Sequence, residues 1–322
     1  MSAPPQPHLT LNNGVKMPAI GLGCWSGLTD EEHEAAIPWV LSALKVGYRH
    51  FDTAHDYGTE GAVGKAVRAS GIPREEIFVT TKLPLHHHAK VTGSIDESLK
   101  NAGFDYYDLW LMHWPHALAN IDDKPNPRYP GPNGEPDQGD FIVDDTITFN
   151  QTWEDMEKVY NESGKVKAIG VSNFSVKNLK KLLETAKIIP AVNEVEMHPH
   201  QAQPELLEFC REKGIILTAY SPTGYAGVAN DPTIIKLAEK YGVSPPQINL
   251  AWDLARGTAA VPKSTNEARQ RANLLELPTL SKEDIELISS LHKNVHYCGY
   301  PGPRERDGHK LVFGWTFEQM GW

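Results

Sequence analysis

Four polar side chains in the first part of the chain are of types that can transfer a proton when they lie together. Asp52 and Tyr57 stand at or just beyond the end of one predicted strand. Lys82 ends the next predicted strand, and His113 ends the one after that. Because the carboxyl ends of parallel strands meet on one face of an α/β protein, we expect these four side chains to lie close together.

The combination of Tyr57 with Lys82 suits general acid catalysis. An unperturbed tyrosine has a pKa of ~10, and lowering it by about two units takes ~2.7 kcal/mol. A lysine ammonium at ~4 Å supplies about 4 kcal/mol at an effective dielectric constant of roughly 20, so Lys82 is predicted to lower the pKa of Tyr57. Asp52 is predicted to pair with the buried cation, and His113 to donate to or orient a carbonyl oxygen. None of the four is a reductant, so a redox reaction would need a cofactor beside them.

Eight predicted strands alternate with helices, and this alternation must position the four residues. The predicted strands are Ala19 to Trp25, His50 to Ala54, Ile77 to Leu83, Tyr107 to Trp114, Ala168 to Asn173, Ala191 to Met197, Ile215 to Ser221 and Thr258 to Pro262. The predicted helices are Glu31 to Val46, Thr59 to Ala69, Gly93 to Ala102, Thr152 to Ser163, Val176 to Ala186, Gln203 to Lys213, Pro232 to Tyr241, Asn266 to Asn273 and Lys282 to Leu291. Eight such units of uniform composition predict an α/β fold, a single (β/α)8 TIM barrel over residues 1–322, rather than a doubly wound sheet with a second domain.

Three further segments complete the predicted fold. Asn13-Gly14, flanked by alternating apolar and polar residues from His8 to Ile20, predicts an N-terminal β-hairpin. Residues 116–149, rich in Pro, Gly and Asp, predict a long surface loop over the active face. Residues 294–322 carry several aromatic side chains and predict a docked C-terminal tail.

Composition restricts the classes of function and partner. The 322 residues are 40% apolar and 22% charged, with no apolar run long enough to span a membrane. A formal charge of −10 disfavours nucleic acids and anionic membranes as partners. Three widely spaced cysteines argue against a disulfide framework, and the first residues lack a secretory signal, so we predict a cytoplasmic protein. A monomer is expected, with a dimer as the alternative.

Several ordered motifs resemble those of the aldo-keto reductase superfamily. They are GYRHFDTAHDYGTEGAVG from Gly47, then VTTKL, DLWLMHWP, KAIGVSNF and AVPKST. The resemblance implies an NAD(P)H-dependent carbonyl reductase on a (β/α)8 barrel, with a catalytic tetrad of Asp52, Tyr57, Lys82 and His113. It also implies reversibility, so an NADP-dependent polyol or glycerol dehydrogenase, or a uronate reductase, is the alternative activity.

The same resemblance implies which residues bind the cofactor. Ser172 and Asn173 match positions that bind the nicotinamide carboxamide, and Tyr220 matches the tyrosine that stacks on the nicotinamide ring. Ser221 would reach the pyrophosphate. The adenine-side pocket is matched by Lys263, Ser264, Arg269 and Asn273. Two cations beside a hydroxyl suit the extra phosphate of NADPH, so NADPH is the predicted cofactor and NADH the alternative.

Glu194 departs from the pattern, because the family usually has a glutamine beside the carboxamide. An ionised glutamate only accepts hydrogen bonds, whereas a glutamine also donates. We therefore expect Glu194 to accept from the carboxamide amine and to favour the cationic, oxidised nicotinamide. A protonated or differently oriented Glu194 is the alternative.

Substrate specificity is predicted from three residues. Trp25 and Trp114 match pocket-wall aromatics of the family. Asp56 directly precedes Tyr57 and is predicted to accept from substrate hydroxyls, and the Asp-Tyr-Gly run resembles that of fungal and yeast xylose reductases. The expected substrate is accordingly a polyhydroxy aldehyde such as an aldose.

Histidine-rich segments suggest a different class of enzyme. His198-Pro199-His200 ends a predicted strand, as metal ligands do in barrel hydrolases, and the run from His86 to His88 lies after another strand. A metallohydrolase would leave Tyr57 and Lys82 without a role, so no metal site is predicted and the run is interpreted as a polar loop. A non-catalytic barrel that senses the redox state of a cofactor is the other alternative.

Overall fold

The structure is a computed structural model that describes residues 7–121, 124–125, 140–299 and 305–322. The strands in these residues are β1 His8–Thr10, β2 Lys16–Pro18, β3 Leu22–Gly23, β4 His50–Asp52, β5 Phe78–Leu83, β6 Leu109–Met112, β7 Asn120–Ile121, β8 Lys124–Pro125, β9 Ile169–Ser172, β10 Val192–Glu196, β11 Ile216–Tyr220, β12 Ala259–Ala260, β13 Glu305–Arg306, β14 His309–Val312 and β15 Trp315–Thr316. The helices are α1 Asp30–Glu34, α2 Ala36–Val46, α3 Glu60–Ser70, α4 Val91–Ala102, α5 Phe149–Glu162, α6 Val176–Leu183, α7 Pro204–Lys213, α8 Tyr225–Ala229, α9 Pro232–Tyr241, α10 Pro245–Ala255, α11 Glu267–Leu275, α12 Lys282–Ser289 and α13 Phe317–Met320.

Eight parallel strands form the central sheet in the order β3-β4-β5-β6-β9-β10-β11-β12. Backbone bonds join the two ends of this order, since the Gly21 N–H donates to the Ala260 carbonyl at 2.9 Å and the Gly23 N–H to the Pro262 carbonyl at 3.1 Å. A sheet without free edges, surrounded by helices, is a (β/α)8 barrel. The predicted fold class is therefore confirmed.

The N-terminal hairpin covers one end of this barrel. β1 and β2 pair antiparallel, as the Asn13-Gly14 turn predicts. Leu11 and Met17 are buried against Phe78 and Leu109, which begin two barrel strands. The hairpin thus closes the amino-terminal end and leaves the carboxyl ends of the strands as the face for ligands.

The structure departs from the predicted helices at two places that involve proline. The predicted helix from Glu31 to Val46 is two helices, α1 and α2, separated at Ala35. Pro38 cannot donate to the carbonyl of Glu34 and its ring crowds that turn, so a continuous helix is unfavourable. Helix α10 was not predicted, although its two initial prolines and the Ser244–Gln247 capping box are signals of a helix start.

The described part of the C-terminal tail forms an antiparallel sheet, β13-β14-β15, followed by α13. Val312 and Met320 pack in one apolar cluster with Trp114 and Leu118, which follow β6. Lys177 and Asn178 of α6 donate to the carbonyls of Glu318 and Met320 at 2.9 and 3.0 Å. These contacts attach the tail at the carboxyl end of the barrel.

The predicted loop over residues 116–149 lies partly outside the described residues. Its described ends pair with each other, since the Ala119 N–H donates to the Ile142 carbonyl at 2.8 Å and the Asp144 N–H to the Ala117 carbonyl at 3.0 Å. Among the described residues, no helix is both long and apolar enough to cross a membrane.

Candidate active site

Three adjacent strands bring the four predicted catalytic residues to the carboxyl face. Asp52 is the last residue of β4, Lys82 stands one residue before the end of β5, and His113 directly follows β6. Tyr57 ends a 3-10 turn, His55–Tyr57, shortly after β4. The register pairs Asp52 with Thr80 and Lys82 with Leu111, so neighbouring strands end at similar heights.

Lys82 is fully buried at the centre of this group. Its Nζ donates to Asp52 Oδ1 at 2.7 Å and to the Thr53 carbonyl at 3.0 Å, and lies 3.3 Å from Glu194 Oε1. Burial by itself would lower the pKa of Lys82, but the acidic groups of Asp52 and Glu194 outweigh it and the pKa lies above its usual value. Lys82 is consequently a permanent ammonium at neutral pH.

Tyr57 is held over this cation by its turn. The Lys82 Nζ lies 4.9 Å from the centroid of the Tyr57 ring. Gly58 ends the turn at φ +65°, and a Cβ there would lie 2.3 Å from the His33 ring, so only glycine fits.

The pKa of Tyr57 does not follow the prediction. Burial raises it, Lys82 lowers it, Asp52 and Glu194 raise it further, and the net pKa lies above the usual value. The expectation of a net lowering was wrong because it omitted desolvation and the second carboxylate. The phenol therefore keeps its proton until an acceptor arrives, while Lys82 stabilises a phenolate as it forms.

His113 lies beside the tyrosine, with ring centroids 5.6 Å apart in an edge-to-face arrangement. Burial lowers its pKa despite the neighbouring carboxylates, so the imidazole is neutral at pH 7. Its Nδ1 lies 3.7 Å from Asp56 Oδ2, longer than a hydrogen bond. A neutral imidazole can donate one N–H to an oxygen placed between itself and Tyr57.

Asp56 lies at the opening of this group, with its side chain 23% exposed. Burial raises its pKa, but His113, His86 and His55 outweigh this effect and the net pKa is lowered. An ionised carboxylate with an exposed edge can accept hydrogen bonds from hydroxyl groups.

Glu194 is a partner of Lys82, which the sequence did not indicate. It is 2% exposed, and its pKa is raised to about 8 by burial first and by the neighbouring Asp52 second, with Lys82 opposing both. The alternative of a protonated glutamate is thus favoured over a plain carboxylate at neutral pH. A protonated carboxyl group can donate one hydrogen bond, as a glutamine does.

Residues predicted to hold the nicotinamide contact one another at the ends of β9, β10 and β11. Ser172 Oγ donates to the Glu194 carbonyl at 2.9 Å, and Asn173 Nδ2 donates to the His113 carbonyl at 3.0 Å. The Tyr220 hydroxyl donates to Asn173 Oδ1 at 2.8 Å. The amine of a carboxamide could donate to Asn173 Oδ1 in place of the Tyr220 hydroxyl. The donors and acceptors of these residues therefore fit a nicotinamide.

Residues predicted to bind the far end of the cofactor lie just before α11, in the case of Lys263 and Ser264, and within it, in the case of Arg269 and Asn273. Lys263 and Arg269 are exposed, whereas Ser264 and Asn273 are buried at 5% and 7% exposure. Ser221 has a left-handed φ of +48°, and its hydroxyl lies 3.2 Å from that of Tyr225. Two unburied cations beside a helix N-terminus fit a phosphate group.

The two predicted pocket tryptophans have different surroundings. Trp25 is 51% exposed. Trp114 is 5% exposed, with ring centroids 5.1 Å from Phe313 and 6.2 Å from Trp322. Trp114 therefore connects the region after β6 to the tail, and Trp25 presents the larger free aromatic surface.

The histidine segments are more buried than a polar loop would be. His87 and His88 are each 2% exposed, and His88 Nδ1 lies 3.0 Å from Thr152 Oγ1. His198 Nε2 donates to Glu196 at 3.2 Å, and His200 Nε2 lies 2.9 Å from Asp231.

Glu196 was not singled out from the sequence, although Glu196-x-His198 is a short-range signal for the pair. Its carboxylate accepts from His198 and His296, and from the backbone N–H groups of Tyr297 and Cys298 at 2.6 and 2.9 Å. It joins the end of a barrel strand to the first part of the tail.

Comparison with known proteins finds relatives over most of the chain. Residues 19–293 match the profile described as the aldo/keto reductase family. Glycerol 2-dehydrogenase (NADP(+)) of Saccharomyces cerevisiae is 44% identical over 88% of this chain and 90% of its own. D-galacturonate reductase of Hypocrea jecorina is 41% identical over 88% of this chain and 90% of its own. The NAD(P)H-dependent D-xylose reductase of Pyricularia oryzae is 37% identical over 90% of this chain and 94% of its own. The chain therefore belongs to the aldo/keto reductase family.

Proposed function

We propose that this protein is an NADPH-dependent carbonyl reductase that converts sugar aldehydes or other polar aldehydes to alcohols, reversibly. The observation that carries the proposal is the buried Lys82, paired with Asp52 at 2.7 Å and lying 4.9 Å from the ring of Tyr57. A protonated phenol above a fixed cation, beside a neutral imidazole, is a general acid whose conjugate base is stabilised in advance.

Held by Ser172, Asn173, Glu194 and Tyr220, NADPH would supply a hydride for the carbonyl carbon. The His113 N–H donates to the carbonyl oxygen and orients it toward Tyr57. Tyr57 gives its phenolic proton to the oxygen as negative charge develops there, and Lys82 stabilises the resulting phenolate. Asp52 holds Lys82 in place and keeps it charged. The same groups run in reverse for alcohol oxidation, with Tyr57 as the base.

NADPH is supported as cofactor by the residues around it and by the relatives. Ser172, Asn173, Glu194 and Tyr220 offer donors and acceptors for the carboxamide, and Lys263 and Arg269 offer exposed cations for a phosphate. Two of the relatives reported above carry NADP(+) or NAD(P)H in their names. NADH is the alternative cofactor. The ratio of kcat/KM for NADPH to kcat/KM for NADH tests the choice.

In the forward assay, the loss of NADPH absorbance is followed with aldoses, uronates, short aldehydes and an aromatic aldehyde as substrates. In the reverse assay, the formation of NADPH from NADP+ is followed with glycerol and other polyols. NADPH-dependent turnover of at least one aldehyde is expected, with Tyr57→Phe lowering kcat by about 10²- to 10⁴-fold. Turnover that Tyr57→Phe leaves unchanged would refute the mechanism. Polyol oxidation faster than any reduction would favour a glycerol or polyol dehydrogenase, an activity named for two relatives.

Asp56 is the proposed determinant of substrate class, with Trp25 and Trp114 as aromatic walls of the pocket. Its ionised carboxylate is placed to accept from hydroxyls next to the reacting carbonyl. Asp56→Ala should reduce kcat/KM for an aldose much more than for an unsubstituted aromatic aldehyde. Asp56→Asn is the matched control, since the amide oxygen still accepts, and equal losses for both substrates would contradict the role. The cytoplasmic location and monomeric state expected from the sequence stay predictions.

A further inference from the structure

A cluster of imidazoles lies next to the proposed active site and takes no part in the proposed reduction. His55 begins the turn that ends in Tyr57, and His86 and His87 lie in the 3-10 turn Leu85–His87 that follows β5. The ring centroids of His86 and His87 are 4.1 Å apart, and those of His55 and His87 are 4.8 Å apart. Glu97 of α4 completes the cluster, with Oε1 3.2 Å from His55 Nε2.

The spacing of three of these side chains suits a metal ion. Ligand atoms of His55, His87 and Glu97 all lie within 4.8 Å of one another. In a tetrahedral zinc site, with bonds of about 2.0 Å, ligand atoms are roughly 3.3 Å apart. The His55–Glu97 pair, at 3.2 Å, already has this separation. Small shifts of the side chains would bring His87 to the same separation from the other two ligands.

The surroundings of His87 support its role as a ligand. Its Nδ1 lies 2.9 Å from Ser94 Oγ, which leaves Nε2 as the ligand atom. Ligating histidines usually have their other ring nitrogen held by a second group in this manner. His87 is 2% exposed, whereas the Glu97 side chain is 49% exposed, so the cluster has a buried base and an open entrance.

We propose that His55, His87 and Glu97 bind one divalent transition-metal ion at the rim of the active site. Two imidazoles and one carboxylate suit zinc, cobalt, nickel or copper, whereas magnesium and calcium prefer oxygen ligands throughout. Water completes the coordination. A second set, His55, Asp56 and His86, is less suited, because Asp56 also faces His113 and is the carboxylate proposed to bind substrate hydroxyls.

Ion binding would weaken substrate recognition. His55, Asp56 and Tyr57 occupy one turn, so the ion places two positive charges next to the carboxylate proposed to accept from substrate hydroxyls. The expected result is a higher KM for polyhydroxy aldehydes. This consequence rests on the proposed function, whereas ion binding itself does not.

Binding is measured on chelator-treated, full-length protein by zinc competition with a chromophoric chelator and by the visible absorption of bound cobalt. One zinc per chain is expected, with cobalt bands of tetrahedral intensity. Glu97→Gln, which alters a half-exposed side chain, and His87→Ala should weaken binding by about tenfold or more. His86→Gln distinguishes the second set, and His309→Gln, at an exposed histidine elsewhere, is the matched control. Unchanged affinity in Glu97→Gln, or no saturable binding in the unaltered protein, would overturn the assignment.

Activity gives the second measurement. Added zinc should raise the KM of the unaltered protein for an aldose and leave the KM of Glu97→Gln unchanged, while both have the same kinetic constants without metal. Stoichiometric binding without an effect on KM would overturn the regulatory consequence. Zinc binding by a protein that reduces no aldehyde would instead refute the proposed function and leave the metal site standing.

Discussion

Glu194 and Glu196 stand two residues apart on β10, and both are buried, at 2% and 1% exposure. Since side chains alternate along a strand, the two carboxyl groups point to the same face of the sheet. Their pKa values nevertheless move in opposite directions, to about 8 for Glu194 and to about 2 for Glu196.

The difference comes from what surrounds each carboxyl group. Burial raises the pKa of both. At Glu194 the neighbouring Asp52 adds to this effect and Lys82 only partly opposes it. At Glu196 donors from His198, His296 and the backbone of the tail reverse it. Burial thus leaves the sign of a pKa shift undecided, and the balance of donors against like charges decides it.

The different surroundings of Glu194 and Glu196 also suit the two carboxyl groups to different roles. The Glu196 carboxylate accepts hydrogen bonds from four protein donors and therefore stays ionised. It attaches the tail to the barrel. Glu194, with a pKa of about 8, can change its protonation near neutral pH when a charged ligand binds beside it.

The largest expected effect comes from removing the cation beside Glu194. Lys82→Met should lower kcat by about 10²- to 10⁴-fold, equivalent to about 3 to 5 kcal/mol in the barrier, because the phenolate of Tyr57 loses its stabilising charge. The measurement is steady-state reduction of the best aldehyde. Lys236→Met, at an exposed lysine, is the control, and a kcat within tenfold of the unaltered enzyme would contradict the role.

Matched substitutions on β10 should separate the two carboxyl groups by stability. Glu196→Gln loses charge-assisted bonds to four donors and should lower the free energy of unfolding by about 2 to 3 kcal/mol. At pH 5, where the Glu194 carboxyl group is protonated, Glu194→Gln replaces one neutral group beside the Lys82 ammonium with another, so we expect a change within about 1 kcal/mol. Urea unfolding measures the free energy of unfolding of both variants. Equal losses of stability would contradict the proposed difference between the two carboxyl groups. Faster proteolysis of the tail in Glu196→Gln, but not in Glu194→Gln, would show that Glu196 is the residue that attaches the tail.

The pH dependence of stability should have opposite signs at the two positions. The folded pKa of Glu194, about 8, is raised above its unfolded value of 4.5, so its contribution is complete below pH 4.5 and is lost as the pH rises through 8. Over that window the unaltered protein should lose up to about 1.4 kcal/mol per pH unit relative to Glu194→Gln. Parallel stability curves from pH 5 to 8 would show that Glu194 is ionised throughout.

Glu196 should act on the acid side instead. Its folded pKa, about 2, is depressed from 4.5, so it stabilises the protein above pH 4.5 and this contribution is lost as the pH falls toward 2. Glu196→Gln should consequently lose less stability on acidification than the unaltered protein does. Thermal unfolding at pH 3 and pH 6 makes the comparison, and a larger loss in the variant would be the contrary result.

The smallest expected effect concerns the cofactor. If Glu194 is ionised above its pKa, it should favour NADP+ over NADPH by a few-fold at pH 9 and less at pH 6. Binding of both forms by the unaltered protein and by Glu194→Gln tests this. A ratio that neither the substitution nor the pH changes would exclude an electrostatic influence of Glu194 on the nicotinamide.

The sequence predicted the barrel, the hairpin, the family and the reductase class, and these predictions are confirmed. Each rests on local patterns, such as alternation, a two-residue turn or a motif, that survive in any context. The roles of the individual site residues stay predictions, although the structure brings Asp52, Tyr57, Lys82 and His113 together.

Features that depend on distant contacts could not be predicted. Glu194 meets Lys82 across the barrel interior, and Glu196 meets residues of the tail that lie far along the chain. The net pKa of Tyr57 is set first by desolvation, which is a property of the packed site that no local sequence pattern contains. Clustering of His55 with His87 and Glu97 likewise depends on how three separate elements pack.

The bonds between residues 19–23 and 260–262 have a consequence for synthesis of the chain. The first barrel strand completes its pairing only with a strand that the ribosome makes last among the eight. Until then a growing sheet has an open edge, which is prone to pair with other chains. We expect truncations that end before β12 to aggregate rather than to form a smaller barrel, and final closure to be a late, slow step in folding.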